Sequence, residues 1–141
     1  MTLVLLVVHI GAAIVFIGPT TFASSAFARF AKPGSRQVAA ALHAITRSYG
    51  TASLIVPAAG LMLAAQRGYL GQSWLLASIA LFALALGLLF GVALPAQAHS
   101  LTILQTEQAI PAQLLLRLRL GAGFFALAWL AVLVLMVLKP F

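Results

Sequence analysis

Four long apolar stretches divide the chain, with short polar segments between them. The first, Leu3 to Phe22, reads LVLLVVHIGAAIVFIGPTTF and holds no charged residue and a single histidine, His9. At 1.5 Å per residue, a helix of that length spans about 30 Å, the thickness of a bilayer's hydrocarbon core. Pro19 should kink it, with Thr20 and Thr21 re-satisfying freed backbone groups. The chain then turns basic at Arg29, Lys32 and Arg36, and Lys32-Pro33-Gly34-Ser35 has turn chemistry. A second helix follows over about 37–66. Its early part, VAAALHAITRSYG, is only moderately apolar and contains His43 and Arg47, and Pro57 should bend it midway. Gln66 to Gly71 reads as a short hairpin. A third helix is predicted over about 73–96, with Pro95 near its end. The polar stretch AQAHSLTILQTEQAIPAQ, holding His99 and Glu107, reads as a partly helical interfacial connection. The fourth helix spans about 112–138, with Pro111 at its start and Lys139-Pro140 closing it. The first therefore covers about 3–28.

This pattern predicts an all-α polytopic membrane protein, a single domain over 1–141 folded as an antiparallel bundle of four transmembrane helices. Composition agrees. The 141 residues are 64% hydrophobic and 6% charged, against about 25% charged in soluble domains. Too little polar surface exists to cover a water-soluble globule, so lipid is the expected solvent. The first stretch is not read as a signal peptide. Met1-Thr2 offers no basic leader, and the apolar run is about twice the usual length.

Charge adds orientation. Eight Lys and Arg face one acid, Glu107. Arg29, Lys32, Arg36, Arg47, Arg117 and Arg119 fall at one end of the predicted bundle, and Arg67 and Lys139 at the other. The positive-inside rule then puts both termini outside the cytoplasm of a multi-pass cell-membrane protein. No basic stripe with interleaved aromatics points to nucleic acid. The scarcity of acids argues against proton or cation transport, carboxylate metal sites and paired-carboxylate hydrolysis. With no cysteine, thiolate sites and Cys nucleophiles are excluded. No catalytic set and no metal site is read from the sequence.

Three histidines carry the candidate chemistry. His9 lies roughly 9 Å below one boundary, while His43 and His99 belong near the other. Two imidazoles on one iron need nitrogens roughly 4 Å apart. His9 is therefore poorly placed to share a metal with either of the others, whereas His43 and His99 can meet if the second and third helices are antiparallel neighbours. Arg47 follows His43 by four residues and shares its face, where the pair would suit a haem propionate or a lipid phosphate. The plainer alternative is a neutral imidazole on a backbone carbonyl or hydroxyl at each histidine, with Arg47 snorkelling.

Packing signals are stronger. Ala83, Gly87, Gly91 and Pro95 repeat every four residues, Gly60 and Ala64 do the same on the second helix, and such faces let helices approach closely in lipid. Intrachain packing is the expected use of the GxxxG at Gly87 and Gly91. The fourth helix, FFALAWLAVLVLMVL, looks bulky all round and reads as lipid-facing or as a docking surface.

The segments VHIGAAIVFIGPTTFASSAFARFA, LHAITRSYG, PAAGL and LPAQ resemble a family of predicted four-helix integral membrane proteins of unknown function. More loosely, the histidine-then-small-residue start resembles the copper-resistance D and protoporphyrinogen-oxidase-type small membrane proteins, some linked to haem b. That resemblance implies His9 as the matching first-helix histidine. Two functions are expected. One is a non-catalytic accessory or stabilising subunit, packed against a larger, respiratory-type membrane complex or against copies of itself. The other is a haem b or porphyrin-binding protein using His9, or His43 with His99, together with Arg47. A small-solute transporter is the weakest reading.

Overall fold

The computed structural model describes residues 1–140 and contains four helices long and apolar enough to cross a membrane. They are α1 (Thr2–Phe30), α2 (Arg36–Arg67), α3 (Ser73–Leu104) and α4 (Ala112–Leu138). The described residues hold no strand. One end of the bundle carries Met1, the turn at 68–72 and Lys139, and is called the terminal end. The other carries the connections 31–35 and 105–111 and is called the loop end.

Prolines shape three of the helices. In α1 a π-helical turn at Ala13–Ile17 runs into Gly18-Pro19. Pro19 has no N–H to donate, so the ladder loosens in the preceding turn. Thr20 and Thr21 donate to the Phe16 and Ile17 carbonyls at 2.7 and 2.8 Å, inside that loosened turn. α3 repeats the device, with a π-helical turn at Leu89–Ala93 followed by Leu94-Pro95. α2 breaks at Ser53-Leu54, where the Pro57 ring meets the carbonyl four residues back. Ser53 Oγ donates to the Gly50 carbonyl at 2.6 Å there.

α3 does not stop near residue 96. It continues past Pro95 to Leu104, so much of the stretch expected to be an interfacial connection is helix. The π-helical turn absorbs the proline and lets the helix carry on. α4 also differs from its expected character. Leu118, Gly121, Ala122, Phe125, Ala128 and Val132 form a buried stripe, so small residues give it an inward face.

In the loop half all four helices close on one another around Phe27, Leu42, Ala96, Leu104 and Leu118. In the terminal half the packing is pairwise. α1 lies on α2, α3 lies on α4, and the pairs touch little. The GxxxG positions are left uncovered by the other helices. Ala83, Gly87, Gly91 and Pro95 are exposed, and a Cβ on either glycine would meet nothing within 4 Å. The close approaches lie at Gly50, Gly60 and Gly121 instead.

Candidate functional site

The gap between the two helix pairs is a cavity of about 230 Å³ lined by all four helices. Ile17, Val56, Phe82, Trp129 and Val132 make an apolar wall. Ser78 also borders it, but its hydroxyl donates to the Trp74 carbonyl at 2.8 Å. The polar group left facing the cavity is His9.

The placement of His9 follows from α2. Its Nδ1 lies 2.8 Å from the Val56 carbonyl oxygen. A carbonyl only accepts, so Nδ1 carries the proton and donates. In the neutral ring Nε2 is then a free lone pair. It has no hydrogen-bond partner among the described residues and is not sealed off. Gly60, one turn beyond Val56, makes room for the ring. A Cβ there would lie 2.8 Å from His9 Cε1 and 3.1 Å from Nδ1.

A wider groove of about 650 Å³ shares His9, Gly60, Trp129 and Met136 with the cavity. It follows the side where α1 and α4 diverge, past Ile10 and Ile14 on one helix and Leu133 and Val137 on the other. Trp129, which lines it, donates from Nε1 to Thr21 Oγ1 at 2.9 Å. Its mouth, at the terminal end, holds Arg67, Tyr69, Trp74 and Lys139. Lys139 Nζ sits 4.8 Å from the Tyr69 ring centre and 5.3 Å from that of Trp74, and the two rings meet edge to face at 5.6 Å. Polar contact from Arg67, and next the charge of Lys139, hold the Tyr69 phenol below its ordinary value.

The other expected site residues lie in the loop half. His43 Nδ1 donates to Gln97 Oε1 at 2.9 Å, Gln97 Nε2 reaches Thr46 Oγ1 at 3.5 Å, and Thr46 donates to the Leu42 carbonyl at 2.8 Å. Gln97 and Thr46 are fully buried. His43 therefore pairs with Gln97 and not with His99. Two residues further along α3, His99 points to the opposite side of the helix. It is exposed and borders a separate groove with Arg117. Arg47 is exposed in the loop half and does not line the cavity of His9. Among the described residues, no three His, Asp or Glu side chains cluster to hold a metal ion.

Gly60, Trp129, Met136 and Gln97 were not legible as site residues. Met136 carried no positional signal, and Gln97 was visible only as the last residue of LPAQ. Gly60 was visible only as half of a small-residue pair, and Trp129 only as bulk on an apolar helix.

Fold and cavity together define an all-α integral membrane protein with four spans and a polar group inside the bundle. The chain belongs to the family described as "Predicted integral membrane protein (DUF2269)", whose model matches residues 3–140. No curated protein and no solved structure matches the chain.

Proposed function

We propose that the protein binds a lipophilic molecule with anionic end groups in the cavity between its helix pairs, and that haem b suits the cavity chemically. The observation that carries this is His9. Its ring is fixed through Nδ1 on Val56, and its Nε2 is left free beside an apolar space. An iron porphyrin needs an available imidazole nitrogen, apolar walls and cations for its propionates. Arg67 and Lys139 stand at the mouth. His9 lies seven residues in from Thr2, so about 10 Å below it. Met136 offers a thioether on the same cavity. A porphyrin is larger than the 230 Å³ cavity, so the group would reach Nε2 only by also filling the adjoining groove of about 650 Å³, which Arg67 and Lys139 line. Bound haem would supply one-electron or gas-binding chemistry. The chain's own part is to orient the ligand, exclude water and hold the acidic groups at the interface. Arg47 has no part in this arrangement; Arg67 and Lys139 take the role expected of it.

The test is an absorbance spectrum of protein purified in mild detergent, before and after added hemin. A Soret band in the wild type, lost in His9→Ala, is expected. A colourless protein that leaves the hemin spectrum unchanged would refute the haem assignment.

A second reading, an accessory subunit of a larger membrane complex, draws support from the uncovered face at Ala83, Gly87 and Gly91, which would admit a partner helix. Stoichiometric co-purification with other membrane chains, reduced by Gly87→Leu, is its expected sign. Six of the eight basic residues favour a cytoplasmic loop end in either case.

A further inference from the structure

The loop end carries a second groove, of about 640 Å³, where α3 separates from the start of α4. It is separate from the His9 cavity and shares no lining residue with it. One wall is Gly91, Pro95 and His99, which follow one another at four-residue intervals on one face of α3. The other is Pro111, Gln113 and Arg117 on α4 and its lead-in. Arg117 lies five residues into α4 and His99 five residues before the end of α3. Both therefore sit about 8 Å in from the loop end, at matching depth. Gly91 lies eight residues deeper than His99, about 12 Å along the helix.

Polarity changes along that length. The shallow end has a guanidinium, an imidazole and an amide, together with the start of a 27-residue helix that lacks a side-chain cap. Free N–H groups at such a start add positive potential. The deep end has no side chain at Gly91 and only a ring at Pro95, so it is an apolar slot facing lipid. The chain offers one acid against eight basic residues, so Arg117 has little internal charge to pair with.

We propose that this groove holds one anionic phospholipid, with its phosphate between His99, Arg117 and Gln113 and its upper acyl chain over Gly91. Both parts of the groove are needed. A free anion would use only the shallow end, and a zwitterionic lipid would bring its own cation against Arg117.

The experiment uses the full chain, delipidated in mild detergent, then incubated with phosphatidylglycerol or phosphatidylcholine and examined by native mass spectrometry. One phosphatidylglycerol per chain should be retained in preference to phosphatidylcholine. Arg117→Gln should weaken that retention about fivefold, the factor typical of one basic residue at a membrane surface. Gly91→Leu should weaken it too, by filling the slot. A Cβ at Gly91 meets nothing within 4 Å, so the backbone there leaves room to begin a side chain. Arg117 is exposed, so Arg117→Gln reads out the headgroup contact even if the leucine variant fails. Equal retention of the two lipids, or unchanged retention in Arg117→Gln, overturns the proposal. Displacement of phosphatidylglycerol by millimolar inorganic phosphate overturns it in favour of a soluble anion. A dimeric mass with no bound lipid overturns it in favour of a second copy in the groove.

Discussion

His9 and Gly60 form one unit across two helices. The imidazole bonds the Val56 carbonyl, and the missing side chain at Gly60 is the space it occupies. Gly60→Ala would place a carbon 2.8 Å from the ring, so the ring or the helix must shift. We expect Gly60→Ala to cost roughly 1–3 kcal/mol, the usual range for overpacking. His9→Ala should cost about 0.6–2 kcal/mol for the lost interhelical bond. The double variant should be more stable than the sum of the two, because the clash has no partner once the ring is gone. Reversible unfolding in mixed micelles would measure the coupling, and strict additivity would contradict the contact. Two other glycines make a matched control. A Cβ at Gly50 would lie 2.8 Å from Leu89 Cδ2, and Leu89 is fully buried. Gly50→Ala should therefore destabilise. Gly87→Ala should be neutral or raise stability by about 0.5–1 kcal/mol through helix propensity.

At the scale of elements, the prolines and the buried amide set how helices meet. α1 and α3 each place a π-helical turn directly before a proline, at Pro19 and Pro95. The prolines were visible in sequence and the kink in α1 was expected from them. The continuation of α3 to Leu104 was not, because a proline followed by a polar stretch reads the same whether a helix ends or bulges. The break in α2 fell where Pro57 requires it. Gln97 ties α3 to α2 through His43 and Thr46. Gln97→Leu would leave the His43 Nδ1 without its acceptor and is expected to cost about 1–3 kcal/mol. Adding His43→Leu should recover much of that loss, since both partners are then apolar. No recovery in the double variant would mean the pair does not carry the contact between these helices.

For the whole molecule, the apolar periodicity and length of each stretch were enough to give four spans, because lipid demands a helix of that length wherever the backbone crosses it. The inner face of α4 was hidden, since Gly121, Ala122 and Ala128 sit among bulky residues and hydrophobicity alone does not separate core from lipid there. The cavity was hidden for a different reason. It arises because the helix pairs part in the terminal half, a tertiary fact with no local signature. His43 and His99 match in depth, and the 100° step of the helix turns His99 away. Orientation can be tested directly, because the chain has no cysteine of its own. Gly71→Cys should react with an impermeant thiol reagent added to intact cells, and Gln105→Cys only after lysis. The reverse pattern would place the loop end outside.

The central claim is that the cavity beside His9 takes a lipophilic anion. Trp74 and Trp129 are the two tryptophans of the chain, and both line the groove that leads to His9. Intrinsic fluorescence titrated with hemin therefore reports occupancy of that space. Saturable quenching in the wild type, shifted at least about tenfold to higher hemin in His9→Ala, is the expected result and corresponds to about 1.4 kcal/mol. Quenching that never saturates, or an identical curve in His9→Ala, would contradict it.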